Sequence, residues 1–229
     1  MANPVEIGVL SSIATREAYN ELVPQFERSS GHKVKTTWAG TTDIMKRMAA
    51  GETYDLVLIS SSEADNLTKQ GKLVSRTDLA RCGIGVAVRA GAPKPDISSG
   101  DALRRALLAA KTVGYTSGPS GVYMAKLIER MGIAAQVQPK HRGVPSGGTI
   151  GTIVASGEAE IGFQQVSELV HIKGIDYIGP LPPDVQHVTV FSASLHAGAK
   201  QPEAARALVG FLTAPAARAV YQKNGLEPG

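Results

Sequence analysis

Two rhythms of apolar residues alternate along this 229-residue chain. Short continuous runs such as EIGVL and YDLVLIS read as buried strands, whereas apolar positions recurring at i, i+3, i+4 and i+7 read as inner helix faces. After EIGVL, the residues Ala18, Leu22 and Phe26, supported by Tyr19 and Val23, mark a helix that ends near Gly31. Val34 to Trp38 is the next strand, and Ile44, Met45 and Met48 face inward on a helix stopped by Gly51. YDLVLIS then precedes a helix carrying Ala64 and Leu67. Strands alternating with helices predict a parallel sheet.

The alternation resumes beyond GKLVSRTDLA. IGVAV is strand-like, and the loop GAPKPDISSG punctuates the chain near a crossing between two domains. A helix with Leu103, Ala106 and Leu107, the strand TVGYT and a helix with Met124, Leu127, Ile128 and Met131 follow. Next come a short helix with Ile150, Ile153 and Val154 closed by Gly157, the strand EIGF, the helix SELVHI and the strand DYI. HVTVFSASL reads as a return crossing. The closing helices, Pro202 to Leu212 and Pro215 to Asn224, each begin with a proline, which suits a first helical position, and are expected to cover the first domain.

Composition narrows the function more than the fold. A hydrophobic content of 43% with 19% charged residues describes an ordinary globular chain, and the net charge of +4 is scattered rather than gathered into a basic run. Nucleic acid is therefore not an expected partner. The single cysteine, Cys82, excludes an internal disulfide and, like Trp38, is expected in or near the core. No apolar stretch approaches membrane-spanning length, and MANPVEIGVL enters a strand without an export signal. The chain is then cytoplasmic, or Met1 follows the removal of a signal peptide. No metal site is expected, because no cluster of His, Cys and carboxylates has ligand spacing. No cofactor is expected either, since GxxxxGK[ST] and GxGxxG are absent, as is the GxSxG of a serine hydrolase.

What recurs instead is a loop type. YTSGPSGVYMAKLIERMG sets SGPSG directly before a helix, and similar junctions follow other strands: LSS at 10–12, AGTTD at 39–43, ISSSE at 59–63 and PSGGT at 145–149. Each has a local reading, in which Ser120, for example, is an N-cap. Together they point to anion binding, since helix starts carry unpaired N–H groups and a partial positive charge, and loops after parallel strands converge on one edge. The candidates are Ser11, Ser12, Thr41, Thr42, Ser60, Ser61, Ser117, Ser120, Gly121, Gly147, Gly148 and Thr149. Lone histidines (His32, His171, His187, His196) read as packing or surface residues.

The segment from VLSSIATREAYNELVPQFERSSGHKVKTTWAG to YDLVLIS resembles the first half of the periplasmic molybdate-binding proteins, a branch of the type II solute-binding proteins of ABC importers. GGTIGTIVASGEAEIGF and AARALVGFLTAPAARAVYQKNGL resemble their second half, so the likeness spans nearly the whole chain. It implies two Rossmann-like α/β domains joined by two crossover strands around a ligand cleft, divided as 1–82 plus 188–229 and 83–187. It further implies a periplasmic monomer that delivers a small anion to an ABC importer's membrane component. Family ligand positions fall on Ser11 or Ser12, Thr41 or Thr42, the amides near Gly121 and Gly148, and Gln164 or Gln165. AGTT replaces the family's second serine and FQQ its tyrosine, and glutamine amides can serve the carboxylates and hydroxyls of an organic acid.

The same resemblance extends to bacterial aconitate isomerase and implies an alternative, the shift of a double bond in a tricarboxylate by proton transfer. Its loop candidates are His141 and Glu168 for the proton, with Arg142 and Lys126 as carboxylate partners. A third reading is the effector-binding domain of a regulator, although no helix-turn-helix is present.

Overall fold

The computed structural model describes residues 3–229, so Met1, and with it any reading of a removed leader, lies outside the described residues. The apolar runs become strands and the periodic segments become helices, in two compact units. One unit comprises the chain up to Cys82 together with Val190–Gly229, and the other is Gly83–Thr189.

The first unit opens with β1 (Glu6–Ser12), α1 (Arg16–Ser30), β2 (Lys33–Ala39), α2 (Thr41–Ala49), β3 (Leu56–Ser60), α3 (Ser61–Lys69) and the start of β4 (Leu73–Arg89). β1 lies between β2 and β3, all parallel, with Ser12 level with Ala39 and Leu58 level with Ser11. Residues buried on both faces, among them Leu10, Val57 and Ile59, pack against Ile44, Met48, Ala64 and Leu67 from α2 and α3. The strand IGVAV is longer than its apolar run: β4 starts at Leu73, within GKLVSRTDLA, with Leu79, Ala80, Cys82 and Ile84 all buried along it. The chain changes units in the middle of this strand, at Cys82 and Gly83, so GAPKPDISSG belongs wholly to the second unit.

The second unit continues with α4 (Gly100–Ala109), β5 (Val113–Tyr115), α5 (Pro119–Arg130), α6 (Ala134–Val137), β6 (His141–Arg142), α7 (Ile150–Ala155), β7 (Ile161–Gln165), α8 (Val166–Leu169), β8 (Ile175–Pro180) and the start of β9 (Val188–His196). Here β5, β6 and β7 are parallel, and β4 runs antiparallel to β7 and β8. Ile161 and Phe163 face a core that includes Leu103, Met124, Leu127 and Ile128 from α4 and α5. The alternate residue Gly162 lets α7 lie flat on the other face, since a Cβ there would stand 2.5 Å from Val154.

Chain then returns to the first unit through β9, antiparallel to β3, and adds α9 (Pro202–Leu212), α10 (Arg218–Lys223) and β10 (Glu227–Pro228). Pro215 starts a 3₁₀ turn, Pro215–Ala217, so α10 proper is shorter than the predicted Pro215 to Asn224. Helices α9 and α10 both pack on α1, with Phe26 and Phe211 ring centroids 5.7 Å apart.

What ties this discontinuous unit together is a buried carboxylate. Asp55 accepts the Gly8 N–H of β1 on Oδ2 at 2.8 Å, and the Lys200 and Gln201 N–H groups ahead of α9 on Oδ1 at 2.7 Å each. Removing a buried acceptor strands all these donors. Asp55→Ala is expected to lower unfolding free energy by about 3–5 kcal/mol, more than Asp55→Asn, which keeps one carbonyl oxygen. Chemical denaturation of both variants checks this, and a change under about 1 kcal/mol for the alanine would show that Asp55 is not the tie.

Candidate functional site

In the first unit the parallel strands deliver three loop starts to one sheet edge. Ser11 and Ser12 end β1, Gly40 and Thr41 follow β2, and Ser60 and Ser61 follow β3. Ser11, Ser12 and Ser60 are buried, Thr41 is half-buried and Thr42 is exposed. Ser11 Oγ donates to the Ser12 carbonyl at 3.2 Å and lies 3.4 Å from Thr15 Oγ1, while Ser60 Oγ lies 3.4 Å from Ser62 Oγ. Ser61 is committed elsewhere, donating to Asp78 Oδ1 at 3.1 Å.

The second unit does the same with Thr116–Gly121 after β5, Gly143–Thr149 after β6, and Gln164 to Glu168 around the end of β7. Ser120 is not the N-cap of α5: Gly118 is, Pro119 takes the first helical position, and Ser120 is buried within the first turn. Ser117 is exposed. Gly121 follows from packing, because a Cβ there would stand 1.6 Å from the Thr116 carbonyl oxygen.

PSGGT behaves differently from its sequence reading. Gly147, at φ +81°, occupies the left-handed position of a turn in which the Gly148 N–H donates to the Pro145 carbonyl at 2.8 Å, so the Gly148 amide is already used. The Ile150 N–H at the start of α7 is used as well, donating to Gln164 Oε1 at 2.7 Å, beside Thr149 Oγ1 at 3.2 Å. Gln164 Nε2 donates to Glu168 Oε1 at 2.8 Å. Its carboxamide, 1% exposed, is therefore a structural brace rather than an open ligand donor. Gln165, equally buried, contacts Thr189 Oγ1 through Nε2 at 3.0 Å and leaves Oε1 with no partner. Thr189 was silent in the sequence, since no motif marks a threonine distant in the chain that meets Gln165 only in the fold.

Of the catalytic candidates, Glu168 is half-buried at this edge, in the first turn of α8. His141 lies in β6, not in a loop. Its ring packs on Tyr115 with centroids 3.9 Å apart, and its Nε2 lies 3.0 Å from the Tyr115 carbonyl oxygen. Arg142 Nη1 donates to the His141 carbonyl at 2.9 Å, and Lys126 is exposed along α5. The other histidines serve packing or the surface. His187 stacks on Tyr123 at 4.6 Å, where burial and then nearby Arg130 lower its pKa, His32 and His196 accept backbone N–H groups, and His171 is exposed. Among the described residues no group of His, Cys, Asp and Glu could hold a metal, and no helix is long and apolar enough to cross a membrane.

The helix starts differ in how they are capped. Helices α2, α3 and α5, which follow parallel strands, have N-caps Gly40, Ser60 and Gly118, none with a side-chain cap hydrogen bond. Helices α4 and α9 follow β4 and β9, which run the other way; side chains cap α4, whereas the α9 N-cap Gln201 makes no side-chain cap hydrogen bond. Asp184 takes the Gly100 N–H at 2.9 Å, with Ser99 accepting from Ala102 at 3.1 Å, and Asp55 takes those ahead of α9. The first turns of α2, α3 and α5 therefore keep N–H groups and positive partial charge without a side-chain cap, whereas Gln164 takes the Ile150 N–H of α7 and Ser12 takes that of Ala14.

Comparison with known proteins agrees with the fold. The profile of the family described as bacterial extracellular solute-binding protein matches residues 7–227. The chain is 38% identical over 236 residues to an aconitate isomerase of a Pseudomonas species, covering 99% of this chain and 90% of that protein. It is 23% identical over 222 residues to the molybdate-binding protein ModA of Mycobacterium tuberculosis, covering 96% and 83%. The fold superposes on the periplasmic molybdate-binding protein of Azotobacter vinelandii with a TM-score of 0.81, at 17% identity and covering 98% and 99% of the two chains. With a type II periplasmic-binding fold and a profile match along nearly its whole length, the chain belongs to the bacterial extracellular solute-binding protein family.

Proposed function

We propose that this protein binds a small organic polycarboxylate, using helix starts and hydroxyls at the carboxyl edges of its parallel strands. The observation that carries the reading is the contrast between α2, α3 and α5, whose N-caps make no side-chain cap hydrogen bond, and α4, which Ser99 and Asp184 cap. Helix first turns left without a side-chain cap are suited to receiving an anion from outside. Ser11, Ser12, Thr41 and Ser60 supply hydroxyls, and Ser120 and Gly121 supply amides.

A polycarboxylate is favoured over a tetrahedral oxyanion on two grounds. Glu168 places a negative charge at the same edge as the α5 start, which opposes a compact dianion more than a longer acid whose carboxylates can sit apart from it. Gln165 is also adaptable. Thr189 Oγ1 can donate or accept, so the buried amide can turn either its oxygen or its NH₂ toward a ligand. The relative named for an aconitate reaction shares 38% of its aligned residues with this chain, against 23% for the molybdate-binding relative. As a receptor, the protein would act as a periplasmic monomer and pass its ligand to the membrane component of an ABC importer.

A second reading, isomerisation of an unsaturated tricarboxylate, is favoured by Glu168 itself. A carboxylate is a liability for anion binding alone, yet it is the group needed to move a proton from an allylic carbon.

A thermal-shift panel with cis-aconitate, trans-aconitate, citrate, molybdate, sulfate and phosphate tests the ligand class. At about 100 times Kd the ligand should raise the melting temperature by about 5–10 °C, and the tricarboxylates should do so where molybdate does not. A shift with molybdate alone would overturn the polycarboxylate reading. The helix-start argument has its own check in Gly40→Asp, which gives α2 a carboxylate cap at a backbone conformation that aspartate accepts. The ligand-free melting temperature should hold or rise while affinity falls about tenfold or more. Unchanged affinity would exclude the α2 start from the site.

A further inference from the structure

We propose that Gln164 is a positioning residue that holds Glu168 as the proton-transfer group of the second unit, an inference that rests on the isomerase reading. The orientation of the Gln164 amide is not a free choice. The Ile150 N–H can only donate, so the carboxamide oxygen must face it, at 2.7 Å, with the Thr149 hydroxyl adding a second bond at 3.2 Å. The NH₂ end is thereby turned to Glu168 Oε1 at 2.8 Å. Gln164 is 1% exposed and sits on β7, a strand whose five residues are all buried, so the brace itself is rigid. Glu168 is only half-buried and lies on the next turn of chain, at the edge where Thr116–Gly121 and Gly143–Thr149 also end their strands.

The arrangement does three things for a base. Rotation of the carboxylate is restrained, because one oxygen is pinned by an N–H donor. The pinned oxygen accepts from an amide donor that cannot itself be a proton source at neutral pH. Finally, the loop carrying Thr149 and the start of α7 is tied to the same amide, so displacement of that loop displaces Glu168.

The step is a balanced allylic shift. The Glu168 carboxylate takes a proton from the CH₂ of the tricarboxylate, and the C–H electron pair forms a new C=C with the central carbon. The electrons of the old C=C pass to its far carbon, which takes the proton back from the Glu168 carboxylic acid. No oxidant, reductant or second substrate enters.

The test is a kinetic double-mutant cycle on the whole chain, with Glu168→Gln, Gln164→Met and the pair. Interconversion of cis- and trans-aconitate and incorporation of solvent deuterium are followed by NMR, and trans-aconitate affinity is measured by calorimetry. Glu168→Gln should lower kcat about 10²–10⁴-fold with affinity equal or tighter. Gln164→Met should lower kcat about 10–100-fold while KM and affinity stay within about threefold. In the Glu168→Gln background the second substitution should lower kcat no further. Equal losses from Gln164→Met in both backgrounds would reduce Gln164 to a fold brace and overturn the proposal alone. Should Gln164→Met unfold the second unit, Gln164→Glu keeps both bonds from Thr149 and Ile150 but repels Glu168, and the same cycle is run with it. Affinity for aconitate without turnover or exchange in the unsubstituted protein would overturn the isomerase reading and this proposal together. Absence of aconitate binding would in addition remove the ligand class.

Discussion

The direction of a strand decides which way the next helix points, and in each unit this single constraint organises the chemistry. Helices after β2, β3 and β5 must begin at the carboxyl edge because those strands are parallel, whereas β4 and β9, which carry the chain from one unit to the other, run antiparallel and send α4 and α9 off from the opposite edge. Every helix start carries the same unpaired N–H groups. The protein treats individual starts differently, and the choice of residue shows it. Asp184 and Ser99 cap the start of α4, while Gly40 and Gly118 leave α2 and α5 without a side-chain acceptor.

That difference has an energetic sense. An N-cap side chain is worth about 1 kcal/mol, so leaving several starts without one forgoes stability that aspartate or serine would readily provide. Asp55 offsets some of this from within the first unit, since its contacts with Gly8, Lys200 and Gln201 join segments that lie far apart in sequence. Stability is thus concentrated away from the edge where anion-binding potential is kept.

Most of the fold was legible because periodicity reports burial directly. Ala18, Tyr19, Leu22, Val23 and Phe26 are the buried residues of α1, and Met124, Leu127 and Ile128 are buried on α5, as their spacing indicates. The exceptions have physical causes. GKLVSRTDLA mixes charges with apolar residues because only part of it is covered: Leu73, Leu79 and Ala80 are buried, whereas Val74, Ser75 and Arg76 are exposed. Site detail was less legible. Serine and glycine mark a helix start without telling whether the hydroxyl caps it, and the structure finds a cap bond at Ser12 but not at Ser60. Gly148 reads as an open amide, yet a local turn consumes it. Thr189 lies 24 residues from Gln165, beyond the reach of any spacing rule.

Gln164 and Gln165 show how far one residue step carries. Adjacent on a strand, their side chains leave from opposite faces of the sheet. On one face the donor at Ile150 fixes the amide absolutely, and the fixed amide in turn fixes Glu168. On the other face the hydroxyl of Thr189 fixes nothing, since it serves either end of the amide, and a buried oxygen is left without a partner. An unpaired buried carbonyl costs about 1–3 kcal/mol, which a ligand or a water bridging to it would recover. The rigid glutamine therefore suits the control of reactivity and the adaptable one suits recognition.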